Sequence, residues 1–165
     1  MTMTKKRIVG NDQKRFWGRV SKTENCWIWK GYTKADGYGE IWIQGKHQRA
    51  HRVAYEWEYG EIPEGLTIDH TCWNRACVRP THLRAITHAE NCQNLEGARK
   101  DSSSKYRGVR KHRDGRFEAY GRLNGRLHYL GLHDTPEEAA AAASAWRREN
   151  MPYSIKDHQM EGDDE

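Results

Sequence analysis

Between Asp69 and Asn91 the chain carries two interleaved sets of residues with chemical potential. Cys72, Cys77 and His82 have the side-chain types and short spacing of a structural zinc site. Asp69, His70 and Asn91 have the types needed to hold a hard divalent cation and to take a proton from water. Metal-assisted cleavage of a phosphodiester needs a deprotonated water, a cation on the phosphate and leaving oxygen, and a base. His70 titrates near neutrality and suits the base. Asn91 offers an amide oxygen and Asp69 a carboxylate, both hard donors for Mg²⁺ or Mn²⁺. Neighbours on an extended strand point to opposite sides, so Asp69 and His70 share a pocket only if the strand twists there. Asn91 is therefore the surer ligand.

A tetrahedral zinc site needs a fourth donor, and Cys26 is the cysteine outside the local cluster. Tying Cys26 to Cys72 would pin the first strands to the loop that carries the chemistry. The alternative for the same residues is buried thiols beside a core histidine. Cys92, next to Asn91, reads as packing.

These groups sit in a chain of 165 residues with 36% hydrophobic content and a mean hydropathy of -1.08. Such a chain makes one ordinary domain or two small ones, and small cores need a metal, disulfides or a partner. There is no apolar run of the signal-peptide or membrane-span kind, so a cytosolic protein is expected, using its cysteines for metal. The net charge of +5 is unevenly spread. Eight Lys or Arg fall between Lys105 and Arg126 against Asp114 and Glu118, while Glu161, Asp163, Asp164 and Glu165 close the chain. A basic block of this density suits a polyphosphate partner, although a solvated surface has the same composition.

The positioning elements divide into segments. Residues 1–12 read as a disordered basic lead-in, 13–95 as a compact unit, 96–104 as a linker, 105–153 as a second unit and 154–165 as an acidic tail. In the first unit Cys26–Trp29 and Gly39–Ile43 read as strands separated by a turn at Asp36-Gly37. Ala50–Tyr59 has a helical pattern stopped by Gly60. Ile68 leads a short strand into Asp69-His70, and Thr87 to about Asn94 reads as a helix. In the second unit Asn124-Gly125 signals a two-residue hairpin, with Leu123 opposite Arg126, Tyr120 opposite Tyr129 and Ala119 opposite Leu130. One sheet face then carries Phe117, Ala119, Leu130 and Leu132; the other carries Arg116, Tyr120, Arg122 and Tyr129. Thr135-Pro136-Glu137-Glu138 opens an alanine-rich helix that lies on the apolar face.

From Cys26 to Asn94 the chain resembles the HNH nucleases of the ββα-metal superfamily, in the branch overlapping His-Cys box homing endonucleases. The carriers are Cys26-Trp27, Gly37-Tyr38-Gly39, Ala50-His51-Arg52, Pro63-Glu64-Gly65, Asp69-His70-Thr71-Cys72, Arg75-Ala76-Cys77, Pro80-Thr81-His82-Leu83 and Glu90-Asn91. The resemblance implies His70 as general base, Asn91 as Mg²⁺ ligand, and Cys26, Cys72, Cys77 and His82 as the zinc cage. It also implies Arg52 on the scissile phosphate, where a basic helix surface is the other reading. Relatives often have Asn where this chain has Val78-Arg79, which leaves open the group that orients His70; a backbone carbonyl is one candidate.

From Tyr106 to Pro152 the chain resembles an AP2/ERF DNA-binding domain, on Tyr106-Arg107-Gly108-Val109-Arg110, Gly115-Arg116-Phe117, Arg122, Tyr129-Leu130-Gly131 and Thr135–Ala140. That match puts Arg107, Arg110, His112, Tyr120, Arg122 and Tyr129 at DNA-facing positions. The expected fold is α+β: a zinc-stabilised ββα-metal domain followed by a three-stranded antiparallel sheet with one helix. The expected function is a metal-dependent DNA endonuclease, like the homing endonucleases of phages and mobile elements, acting on double-stranded DNA as monomer or homodimer. It would work in the cytoplasm, that of the host cell if phage-encoded. The competing expectation is a zinc-stabilised DNA-binding regulator that does not cut.

Overall fold

A computed structural model describes residues 10–159; the expected lead-in over residues 1–9 and the acidic residues 160–165 lie outside them. Chain contacts divide the protein into two compact units, residues 1–87 and 88–165. Residues 88–95 thus cluster with the second unit.

The first unit opens with α1 (Gly10–Trp17), so Gly10 to Asp12, expected in the lead-in, are helical. What anchors this helix is Phe16, fully buried, with ring centroids 4.9 Å from both Trp29 and Trp57. β1 (Val20–Lys22) pairs antiparallel with β2 (Trp27–Trp29), and β3 (Glu40–Ile43) with β4 (Lys46–Arg49). The two strands expected to flank Asp36-Gly37 therefore have separate partners, and a single Thr33–Gly39 bridge spans that turn. Lys46-His47-Gln48-Arg49 has no apolar alternation to announce a strand. Its pairing comes from the turn before it, where Gln44 and Gly45 both have positive φ (56° and 77°), the type I′ geometry that matches strand twist.

α2 (Ala50–Tyr59) has the expected bounds, buries Ala50, Val53 and Ala54, and stops at Gly60 with φ 93°. β5 (Thr67–His70) then pairs antiparallel with β6 (Leu83–Ile86) around a loop that ends in a 3₁₀ turn, Pro80–His82. The core gathers Phe16, Trp29, Ile41, Ile43, Val53, Ile68, Val78 and Leu83.

In the second unit α3 (His88–Asn91) is a single turn, shorter than the helix expected to reach Asn94. β7 (Val109–Lys111), β8 (Phe117–Leu123) and β9 (Arg126–His133) form one antiparallel sheet in that order. Leu123 opposes Arg126 and Tyr120 opposes Tyr129, but a bulge at Ala119/Tyr120 moves Ala119 from Leu130 to Gly131. The extra residue puts Leu132 opposite Glu118 on the outer face, and the apolar cluster accordingly includes Leu130 without Leu132.

α4 (Pro136–Asn150) begins with Thr135 and Glu138 in a reciprocal capping box and Pro136 in its first turn. Its Ala139 and Ala143 pack on Val109 and Ala119. α5 (Ile155–Gln159) occupies part of the expected tail. It is held because the buried Asp157 accepts hydrogen bonds from Arg147, Ser144 and Ser154. Burial alone would raise the Asp157 pKa, but these donors outweigh it and hold it at about 2.

Candidate active site and metal cage

Four segments of the first unit bring Cys26, Cys72, Cys77 and His82 together, with ligand atoms all within 4.8 Å of one another. Cys26 precedes β2, Cys72 follows β5, Cys77 lies in the loop and His82 ends the 3₁₀ turn. The loop is stitched to β2 by Trp29 N donating to Ala76 O and Val78 N to Trp27 O, each at 2.8 Å. His82 Nδ1 lies 3.7 Å from the sulfurs of both Cys26 and Cys77. Bonds of about 2.3 Å to sulfur and 2.0–2.1 Å to nitrogen give tetrahedral edges of roughly 3.5–3.8 Å, so the donor set fits zinc. The Cys77 thiol is pulled down chiefly by a hydrogen bond from the Cys72 thiol, helped by the Arg79 amide on its sulfur. A thiolate is the form a metal takes. Exposed Cys92 stays outside the cage, its sulfur 3.6 Å from His88 Nε2.

His70, 5% exposed at the end of β5, sits beside this cage. Its Nε2 is 3.0 Å from the carbonyl oxygen of Cys77, so a backbone carbonyl accepts a hydrogen bond from the ring. A proton donated from Nε2 leaves the lone pair of the neutral ring on Nδ1. Burial pushes the His70 pKa down and favours that neutral form. Asp69 points to the other side of the strand, 6% exposed, and accepts from Arg84 Nε and Nη2 at 2.9 Å.

Two further rings flank His70. His51, on the first turn of α2, has its centroid 4.9 Å away, and Tyr38 lies 5.0 Å from His51 and 5.8 Å from His70. The guanidinium groups of Arg49 and Arg75 lie 5.3 and 5.6 Å from the Tyr38 ring. Arg49 grips the Asp36 carboxylate at 2.8 and 3.0 Å. His51 is 6% exposed, its Nδ1 has no hydrogen-bond partner among the described residues, and burial, then His70, lowers its pKa to about 3. His51 and Tyr38 enter the sequence reading only among the residues that carry the HNH resemblance, which implies no role for either. The available signal was His51 on the same helix face as the core residue Ala54. The side chain of Arg52, half-buried, makes no hydrogen bond or ion pair among the described residues. Asn91, also half-buried, ends α3 in the second unit.

Of the six expected DNA-facing residues, Arg110, Arg122 and Tyr129 are exposed, Tyr129 at 62%. Arg110 is bidentate to Glu118 and lies 5.5 Å from the Tyr120 ring. His112 Nδ1 is 2.8 Å from Asp114 Oδ1. Arg107 is turned inward: it donates to Ser154 Oγ at 2.9 Å and Gln93 O at 3.0 Å, and burial, then Arg147, lowers its pKa to about 10.

Residues 48–93, which run from β4 through the cage and the β5–β6 hairpin to α3, match the family model described as HNH endonuclease. The chain carries an HNH endonuclease domain. It is 36% identical over 72 residues to Protein 7.7 of Escherichia phage T7, covering 44% of this chain and 55% of that protein. Protein 2.8 of the same phage is 36% identical over 80 residues, 47% of this chain and 54% of its own length. An uncharacterized HNH endonuclease, L560, of Acanthamoeba polyphaga mimivirus is 32% identical over 125 residues, 75% of this chain and 60% of its own. The chain spans about half the length of the phage relatives it matches. No solved structure matches it significantly. No helix among the described residues is long and apolar enough to cross a membrane.

Proposed function

We propose that the protein is a divalent-metal-dependent DNA endonuclease whose HNH domain hydrolyses phosphodiesters at sites chosen by the AP2-like second unit. The observation that carries this reading is the His70–Cys77 carbonyl hydrogen bond, which presents a neutral, buried imidazole from the rim of a four-donor cage. His70 Nδ1 accepts the proton of the attacking water as the new oxygen–phosphorus bond forms. Asn91 is the oxygen donor for a Mg²⁺ or Mn²⁺ ion, which when bound would stabilise charge on the leaving 3′ oxygen; Asp69, on the other side of β5 and held by Arg84, is not one of its ligands in this reading. Arg52, unpaired among the described residues, is the contact for the scissile phosphate. Zinc in the Cys26–Cys72–Cys77–His82 cage fixes the loop and takes no part in the chemistry.

In the second unit Arg110, Arg122, Tyr120 and Tyr129 form the outer surface that meets DNA, with His112 at its margin; Arg107 supports the unit from within. The phage relatives favour a host cell's cytoplasm as the place of action. One observation favours the non-cleaving regulator: the Asp69 carboxylate is already taken by Arg84. A plasmid assay decides between them. Supercoiled DNA is incubated with Mg²⁺ or without added metal, using wild type and His70→Ala. Mg²⁺-dependent relaxation or linearisation that His70→Ala abolishes supports the nuclease; intact plasmid under every salt condition would leave the regulator.

A further inference from the structure

β8 is seven residues long, but β7 covers only part of it. The pairs run from Lys111–Phe117 to Val109–Ala119, and Tyr120 N still donates to Gly108 O. Beyond Tyr120, the edge of β8 away from β9 has no strand beside it among the described residues. A groove of about 1580 Å³ opens there, within the second unit. One wall is built from residues 92–103, most of which the sequence presents as a linker; Tyr120 to Gly125 and Lys156 of α5 also line it. Small-molecule sites are usually about 300–1,000 Å³, so this space suits a polymer.

Its lining is cationic: six Lys or Arg side chains face two carboxylates, Glu96 and Asp101. Three of the cations are already committed, Arg110 to Glu118 and Arg107 and Arg147 to Asp157. The side chains of Arg99, Arg122 and Lys156 make no hydrogen bond or ion pair among the described residues. Tyr106 and Tyr120 add aromatic surface to the lining. Cations without a partner among the described residues, lining one groove together with tyrosines, match a sugar-phosphate chain. A peptide added along the β8 edge would gain backbone hydrogen bonds but nothing from the cations.

We infer that this groove grips one strand of duplex DNA through Arg99, Arg122 and Lys156, so that residues 92–103 are a clamp arm as well as a connector. The inference rests on the DNA reading of the second unit and adds contacts off its sheet. The test measures binding of the full chain, in a His70→Ala background that prevents cutting, to a duplex of about 30 base pairs from about 50 to 200 mM salt. The double variant Arg99→Ala/Lys156→Ala should lower the slope of log K against log salt by about 1.8, about 0.9 for each lost phosphate contact. The pair Arg99→Lys/Lys156→Arg should restore it, and melting curves should match the parent throughout. An unchanged slope in Arg99→Ala/Lys156→Ala, alongside weaker binding in Arg110→Ala, would overturn the clamp and leave the groove to a peptide strand. If the parent binds no DNA, or neither variant alters binding, the DNA reading of the second unit fails and takes the clamp with it.

Discussion

Acidification should weaken the first unit through His51, and replacing that one ring should remove the effect. Burial, then the neighbouring His70, lowers the His51 pKa from its ordinary 6.5 to about 3. Below pH 6.5 the unfolded chain takes up a proton there, whereas the folded chain does not until about pH 3. Stability attributable to the neutral ring is thus fully present above 6.5 and declines as pH falls through that window. With about 1.4 kcal/mol per pH unit, the loss between pH 7 and pH 5 is about 2 kcal/mol. His51→Phe keeps an aromatic ring and has no proton to bind. Urea unfolding followed by tryptophan fluorescence, at pH 7 and pH 5 for both proteins, isolates the difference between their two losses. Acid-driven release of zinc weakens both alike and cancels. Equal losses in the two proteins would refute the argument, since they would show that His51 binds its proton as readily folded as unfolded.

His70→Ala should slow plasmid cleavage by about 10² to 10⁴-fold while leaving the dissociation constant for DNA unchanged, as expected for loss of a general base. Cys26→Ser should reduce zinc bound per chain, measured by atomic emission, and abolish the cooperative melting of the first unit, because small metal-held folds depend on the metal. Gly121→Ala should destabilise the second unit by about 1–3 kcal/mol. A Cβ at that position would run into the Trp146 ring, and thermal melts read the cost.

Features set by neighbours in sequence were the legible ones. α2 stops at Gly60, the β8–β9 hairpin turns at Asn124-Gly125, and α4 starts at its capping box, each where the residues indicate. The cage was legible because zinc demands particular side chains and the loop supplies three of them within eleven positions. What stayed hidden depends on partners far along the chain. β4 is polar and becomes a strand only against β3. The bulge at Ala119/Tyr120 that turns Leu132 outward has no local residue signal to announce it. Arg107 reads as a surface cation, yet Asp157, fifty residues on, is close enough to hold it inside. The isolated His51 signal gave no hint that its ring would lie against His70.

One residue joins folding to reactivity. Cys77 offers its sulfur to the cage and its carbonyl oxygen to the His70 ring. On the proposed reading, a newly made copy without zinc would hold that carbonyl by the loop's backbone hydrogen bonds alone, and its imidazole would be aimed less firmly. If the protein is the proposed nuclease, immature or stripped molecules would then be less active towards nearby DNA rather than indiscriminate, and thiol oxidants would weaken it by the same route.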